Sequence, residues 1–498
     1  MNAAIRRITL VLALALAALF VNLNVVQLVR SEELTDHPRN DRAFLRNLGI
    51  RRGEILAADG AVLAESVRTK DDRFPWRRRY PLGDLFGHIT GYYAPSRICR
   101  SSGLEDSMSA YLTGDQPETA QNFVDELLGR EPDGNVLKLT IDPAVQRVAA
   151  RALGDQGGSV AALDPRTGAV LALYSTPTYN PNSISRGNPD ECGRALNRLE
   201  STEGNPLRLR ATAEWYPPGS TFKILVSATA LQGRYSPSSS FPFRTTLNLP
   251  DTDRTLGNFG GSSCGGSLAS ALRVSCNTTF AELGMALGPK RLGTMADRFG
   301  FGADPGIELP DVSVIPSCFV AVPGVGCGDP ATVSRPGTAY SSIGQQDVRV
   351  TALQMAMVAA TVSSSGILRQ PYLVSAIEDP TGKPLIETEP RPSDRIYSRK
   401  TARELKQMMI DVVRSGTGAV VGFQEASRGI IGGKTGTAQT GIPGEAPHVW
   451  FVAFAPNVAV AVVVENGGNL ADAATGGRVA GPIAKAVLER VRSMRGRL

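Results

Sequence analysis

The chain has 498 residues, 42% of them hydrophobic and 20% charged, with a formal net charge of +6. That length accommodates roughly three domains, and the apolar share excludes disorder for the bulk of the chain. Of its 53 basic residues 44 are arginine, scattered with only short runs such as Arg77-Arg78-Arg79, so the concentrated basic patch of a nucleic-acid-binding protein is missing.

The first element is apolar. Residues 8–29 begin with an uncharged run from Ile8 to Val21 and continue with Asn22, Asn24 and Gln27 among apolar neighbours. At about 1.5 Å per residue this spans a bilayer core. Arg6 and Arg7 precede it, which keeps the N-terminus cytoplasmic and exports the rest. A cleaved signal peptide is the alternative, but amides stand where a small-x-small cleavage site would fall. No later segment is long and apolar enough to span. The expectation is a cytoplasmic tip and single-pass anchor over residues 1–30, with an extracytoplasmic bulk. Export permits disulfides, and Cys99, Cys192, Cys264, Cys276, Cys318 and Cys327 allow up to three. Several can equally be small buried hydrophobes, and the pairing is open. No CxxC pair occurs and His37, His88 and His448 lie far apart, so no metal site is expected.

Residues 31–135 are polar, arginine-rich and broken by Gly and Pro, with short strand-like pieces at 53–56 and 61–64. They read as an elongated, non-catalytic spacer. From about Leu137 the texture changes, and residues 136–498 form the expected main domain. Asp142 to Leu153 has helical spacing, with Pro143 suited to a first turn. Val160–Leu163 and Val170–Leu173 flank Asp164–Gly168 as a hairpin. Near the end, Trp450–Phe454 and Val458–Val464 read as strands and Ala480–Met494 as a helix. Strands at both ends with helices between predict an α+β fold whose sheet joins the N- and C-terminal segments.

Three short motifs lie between. Pro217-Pro218-Gly219-Ser220-Thr221-Phe222-Lys223 precedes an apolar run, Ile224–Leu231, that predicts a buried helix. Ser220 and Lys223, three apart, share a face at its start. A serine hydroxyl becomes a nucleophile when a base takes its proton, and a lysine serves once burial or a nearby cation leaves it neutral. Free N–H groups at the helix start suit a developing oxyanion. Of the nine lysines, Lys223 alone has a serine or threonine three residues earlier. Taken singly, the pattern also fits a helix-starting serine with a solvated lysine. Ser275-Cys276-Asn277 is the single Ser-x-Asn of the chain, pairing a hydroxyl that can relay a proton with an amide that can grip a peptide group. Lys434-Thr435-Gly436-Thr437 follows Ile430-Ile431-Gly432-Gly433; its cation and hydroxyls suit a carboxylate, and its glycines allow close approach. Apart, these two are an ordinary loop tripeptide and a strand-end turn. In this order the trio is the one found in class A β-lactamases and penicillin-binding proteins, except that Cys276 stands where Asp is usual.

With these motifs the sequence resembles the class B penicillin-binding proteins, the monofunctional peptidoglycan transpeptidases, and most of all a short actinobacterial type. The likeness runs along nearly the whole chain through Arg52-Gly53-Glu54-Ile55, Gly103-Leu104-Glu105, Thr140-Ile141-Asp142, Leu163–Gly168, Ile343-Gly344-Gln345 and Val350–Gln354. Leu209-Arg210-Ala211 stands where the family usually has Asn-Arg-Ala, a departure that leaves catalysis untouched and bears on one local hydrogen bond.

The resemblance implies a penicillin-binding transpeptidase and serine β-lactamase-like domain, an antiparallel sheet with helices, behind a pedestal and an anchor. It implies Ser220 as nucleophile, Lys223 as general base, Ser275 as proton relay and Asn277 as the holder of a stem-peptide amide. Lys434 would supply positive charge near Ser275, Thr435, Gly436 and Thr437 would bind the terminal carboxylate segment, and the N–H groups of Ser220 and Thr437 would form the oxyanion hole. The implied reaction is attack on D-Ala-D-Ala, release of D-alanine and acyl transfer to a neighbouring strand's amine, in growth or division. It needs no cofactor, and β-lactams would trap the acyl-enzyme. A SEDS-type membrane glycosyltransferase is the implied partner, since the spacer is too small to be a glycan polymerase. A membrane-anchored serine β-lactamase shares the first chemical step, and a β-lactam sensor shares the binding. Neither suits this chain, with no deacylating machinery identifiable, one span and about seven residues before it.

Overall fold

The computed structural model describes residues 2–30, 49–70, 75–94, 99–115, 133–185, 189–391, 395–423 and 428–494; His37 lies outside them. An α-helix runs from Asn2 to Asn24 and continues as a widened π-turn over Val25–Val29. Within it Ile5–Gln27 has a mean hydropathy of 2.3, and it is the one helix among the described residues long and apolar enough to cross a membrane. Asn24 Nδ2 donates to Phe20 O at 2.8 Å inside the helix.

A six-stranded sheet follows, in the order Pro384–Glu387, Val374–Glu378, Val136–Leu139, Ile55–Leu56, Val62–Arg68, Trp76–Arg79. Ile55–Leu56 runs parallel to Val136–Leu139, and the other pairs are antiparallel. Both strand-like pieces of the spacer are thus strands. The sheet also takes two strands from beyond residue 370, so the segment after the anchor is built onto the C-terminal part of the chain. Lys138 Nζ donates to Glu378 Oε1 at 2.6 Å across that seam.

The second sheet has five antiparallel strands, ordered Gly432–Ala438, His448–Ala455, Val458–Val464, Gly158–Leu163, Val170–Thr176. Val458–Val464 pairs with Gly158–Leu163 from Ala459 opposite Leu163 to Val464 opposite Gly158, closing the N- and C-terminal segments as expected. The central strand Val458–Val464 is apolar throughout because both faces are covered. Helices Pro143–Leu153 and Ala480–Met494 pack on one face, and Ala352–Ser363, buried from Ala352 to Val362, packs on the other. Asp142 starts the first of these, its Oδ1 accepting from Ala144 N at 2.8 Å and Val145 N at 3.2 Å, with Pro143 in the first turn where no N–H is required. All six cysteines pair, as Cys99–Cys192, Cys264–Cys276 and Cys318–Cys327. The strand that carries Lys434 lies at the edge of this sheet, so a row of its backbone groups is open to a further chain.

Candidate active site

Ser220 sits in a single 3-10 turn, Gly219–Phe222, and the α-helix proper begins at Lys223 and runs to Gln232. The tighter turn places side chains three apart one above the other, so Ser220 and Lys223 share a face more closely than an α-helix would give. The turn is clamped on two sides. Gly219 has φ +53°, and a Cβ there would lie 2.5 Å from Thr437 O on the edge strand. A Cβ on Gly344 would lie 2.0 Å from Gly219 O, and Gly219 N donates to Gly344 O at 2.9 Å. From the sheet, Trp450 Nε1 donates to Pro217 O at 3.0 Å. Lys223 to Leu231 are all buried, which the apolar run requires.

Ser275 lies between two helices, Leu268–Arg273 and Asn277–Leu287. Its φ of +62° is left-handed, a conformation that costs a non-glycine residue about 1–3 kcal/mol and needs its surroundings to hold it. Here Ser275 N donates to Leu272 O at 3.1 Å and Cys276 N to Ala271 O at 2.8 Å. The Cys264–Cys276 disulfide ties the same turn to strand Cys264–Ser267. Cys276, which replaces the usual Asp, is therefore a covalent anchor of the turn.

The three motifs converge on the Ser275 hydroxyl. Lys434 Nζ donates to Ser275 Oγ at 2.9 Å and to Thr435 O at 2.9 Å. Lys223 Nζ donates to Ser275 O at 2.8 Å and to Asn277 Oδ1 at 2.7 Å, with Ser275 Oγ at 3.4 Å. Asn277 Nδ2 donates to Gly257 O at 3.1 Å. Among the described residues no hydrogen bond of Lys223 goes to Ser220; the lysine is held by the Ser-x-Asn turn, and Ser220 is half-buried.

Both lysines are fully buried. Burial, and then the Lys434 ammonium, hold Lys223 well below the usual lysine range. Burial pushes Lys434 down to about 7. A neutral amine has two N–H donors and one lone pair. The two short contacts of Lys223, to Ser275 O and Asn277 Oδ1, use both donors and leave the lone pair to take a proton.

Two groups that sequence reading passes over also shape the site. Thr417 Oγ1 lies 2.8 Å from Thr435 Oγ1, and its N–H donates to Arg273 O at 3.1 Å, joining the edge strand to the helix before Ser275. Asn258 Nδ2 donates to Arg244 O at 2.7 Å and Ser262 O at 2.9 Å, while its Oδ1 accepts from Thr278 N at 2.9 Å at the start of the Asn277 helix. Nothing in their local sequence separates them from other threonines and asparagines.

If Lys434 binds the substrate carboxylate, its titration sets the alkaline side of acylation. Its folded pKa is lowered, so it carries charge below about pH 7 and loses it above. For a carboxylate-bearing penicillin, the second-order acylation constant is expected to fall as pH rises through about 7, because that constant reports the free enzyme. A β-lactam ester without the carboxylate should show a flatter profile in the same stopped-flow series. Equal profiles for the two compounds would remove Lys434 from carboxylate binding.

A chain with this sheet, this clamped serine turn and two lysines meeting at one hydroxyl belongs to the penicillin-binding transpeptidases: the penicillin binding protein transpeptidase domain model matches residues 158–489. The penicillin binding protein A dimerisation domain model matches residues 52–137, which makes the chain a class B member. The particular likeness is to penicillin-binding protein A. The chain is 37% identical to the peptidoglycan D,D-transpeptidase PbpA of Mycolicibacterium smegmatis, over 98% of each chain. It is 36% identical to PbpA of Mycobacterium tuberculosis, over 98% of this chain and 99% of that one. The crystal structure of that mycobacterial protein superposes with a TM-score of 0.78 at 35% identity, covering 89% of this chain and 99% of that one. Its ceftriaxone acyl-enzyme complex superposes with a TM-score of 0.79 at 35% identity, with the same coverage.

Proposed function

We propose that this chain, a serine D,D-transpeptidase of peptidoglycan synthesis, forms its acyl-enzyme on Ser220. The observation that carries the assignment is the pair of buried lysines meeting at Ser275 Oγ, one of them, Lys223, opening the helix that follows the Ser220 turn. Neutral Lys223 takes the Ser220 proton as Oγ attacks the carbonyl between the two D-alanines of a stem peptide. The N–H groups of Ser220 and Thr437 receive the oxyanion. Ser275 passes the proton to the departing nitrogen, the C–N bond breaks and D-alanine leaves. The amine of a neighbouring strand then attacks the ester, its proton returns through the same groups, and Ser220 is released as the cross-link forms. Lys434, Thr435 and Thr437 hold the terminal carboxylate, with Gly436 allowing close approach. Asn277 turns its amide to the stem peptide, which lies along the open edge strand as an added strand would.

β-Lactams acylate the same serine, as the acyl-enzyme complexes of the mycobacterial relative with ceftriaxone and penicillin G support. Mass spectrometry of the full-length protein after penicillin tests the reading. A long-lived adduct on Ser220 is expected; rapid turnover of the drug would mark a β-lactamase, and no adduct would refute both.

Residues 1–30 anchor the chain with its N-terminus in the cytoplasm, 31–135 form the pedestal and 136–498 the extracytoplasmic transpeptidase domain. A transpeptidase without a polymerase must meet nascent glycan made by another protein, and a SEDS-type glycosyltransferase in the same membrane is the partner we assign. Amides in a span favour a helix partner, at about 0.6–2 kcal/mol each. With Asn24 satisfied inside its own helix, Gln27 and the pedestal carry most of that contact. Asn24→Leu with Gln27→Leu, or replacement of residues 31–100 by a neutral linker, is expected to weaken co-purification of the polymerase. Unchanged recovery with both variants would place the partner elsewhere.

A further inference from the structure

The helix that carries Asn277 begins without a cap of its own. Its N-cap residue is Cys276, whose side chain is tied to Cys264 and makes no capping hydrogen bond. In the Ser-Asp-Asn form of the motif an aspartate stands here. An Asp at an N-cap accepts from the N–H of the second or third helical residue, one of the donors that a helix start leaves over. In this chain the N–H of the second residue, Thr278, donates instead to Asn258 Oδ1 at 2.9 Å, so the acceptor comes from 20 residues upstream.

Asn258 is fixed for that contact. It is buried, and its Nδ2 donates to Arg244 O at 2.7 Å and Ser262 O at 2.9 Å, which leaves Oδ1 facing the helix. Its backbone N donates to Thr245 O at 3.2 Å. The residue before it, Gly257, ends strand Thr255–Gly257 and accepts from Asn277 Nδ2 at 3.1 Å. Two consecutive residues at one strand end therefore answer the first two residues of the helix. Asn277 Oδ1 accepts from Lys223 Nζ at 2.7 Å. The Asn277 amide is thus held at both ends, and its nitrogen keeps a second hydrogen for a ligand.

We propose that Asn258 is a positioning residue of the acylation site. It supplies the helix cap that Cys276 cannot and, through Gly257, sets the Asn277 amide so that its second N–H meets a carbonyl of the acyl donor. The proposal rests on Asn277 as the holder of the stem-peptide amide. The disulfide keeps the Ser275 turn in place, and Asn258 provides the acceptor that an aspartate at the same position would have given.

The test is stopped-flow acylation of the full chain in detergent by two compounds. Benzylpenicillin carries a side-chain amide and 6-aminopenicillanic acid lacks one, so the ratio of their rate constants reads the amide contact. Asn258→Ala is expected to lower that ratio by about three- to tenfold, the worth of one neutral hydrogen bond. Adding Cys264→Ala with Cys276→Asp should restore the ratio, since an aspartate there reaches the same N–H. Adding Cys264→Ala with Cys276→Ala should not. Asn277→Ala is the reference for loss of the contact. A ratio lowered in Asn277→Ala but unchanged in Asn258→Ala overturns the proposal alone. A ratio unchanged in both refutes the amide reading of Asn277 and the proposal with it. Equal slowing of both compounds in Asn258→Ala, without rescue by Cys276→Asp, reduces Asn258 to a structural brace and also overturns it. If Asn258→Ala fails to fold, the combined variants decide. Folding and the parent ratio recovered with Cys276→Asp but not with Cys276→Ala support the cap, and recovery with neither overturns it.

Discussion

Ser220→Ala is expected to abolish covalent penicillin labelling and leave Tm within the small range of a neutral surface change. Among the described residues no hydrogen bond holds the Ser220 hydroxyl, and the residue is half-buried in a turn whose shape comes from Gly219 and Gly344. Replacing it by alanine thus removes the proposed nucleophile and no contact of weight, an effect on stability within about 0.5 kcal/mol. Ser275 is the rival nucleophile, since its hydroxyl lies 2.9 Å from Lys434 Nζ and 3.4 Å from Lys223 Nζ. Its position argues for relay. A hydroxyl between two amines moves protons between them, whereas Ser220 sits in the turn that opens the Lys223 helix, with its neighbour Gly219 packed against Thr437 of the edge strand. Ser275→Ala should therefore slow labelling without removing the adduct from Ser220. Wild-type labelling in Ser220→Ala, with the adduct mapped to Ser275, would reverse the two roles.

The meeting of Lys223, Ser275, Asn277 and Lys434 was legible because they sit in three short motifs, each carried by residues whose types have few other uses together. The anchor, the Asp164 hairpin, the last two strands and the last helix were legible from apolar patterning, since each element is long enough to show its period. Other features depend on contacts distant in sequence. Nothing near Pro384 shows that it will extend a sheet begun at Ile55, because pairing across that distance leaves no local trace. The left-handed Ser275 is imposed by neighbouring helices and a disulfide, and serine itself does not announce it. The Ile343-Gly344-Gln345 segment could be seen as a family feature but not explained. The structure supplies the reason: Gly219 O passes where a side chain on Gly344 would begin. Val350 is similar, its backbone exchanging hydrogen bonds with Tyr216 just before the serine turn. At Leu209 the departure from Asn costs no site contact. Leu209 is buried in the core, and the neighbouring Arg210 reaches Glu465 Oε1 at 3.0 Å.

Lys223→Ala is expected to lower the acylation rate by about 10²–10⁴-fold, the effect of losing a general base, which is roughly 3–5 kcal/mol of barrier. The expectation rests on the sign of the Lys223 shift. Burial and the Lys434 ammonium both disfavour a second positive charge, so the amine is neutral at a lower pH than an exposed lysine. Acylation should then rise with pH as Lys223 deprotonates and fall again as Lys434 loses its charge, giving a bell whose acid limb disappears in the variant. A structural role makes a different prediction. If Lys223 merely holds Ser275 and Asn277 in place, through the 2.8 Å and 2.7 Å bonds, Lys223→Arg keeps donors for both and should restore much of the rate. Arginine cannot be deprotonated in a protein, so under the base assignment it restores nothing. Stopped-flow acylation of Lys223→Ala and Lys223→Arg, beside circular dichroism to confirm folding, separates the two. Near-normal acylation in the alanine variant, or rescue by arginine with the acid limb intact, would leave Lys223 as a positioning residue and move the proton acceptor to the Ser275–Lys434 pair.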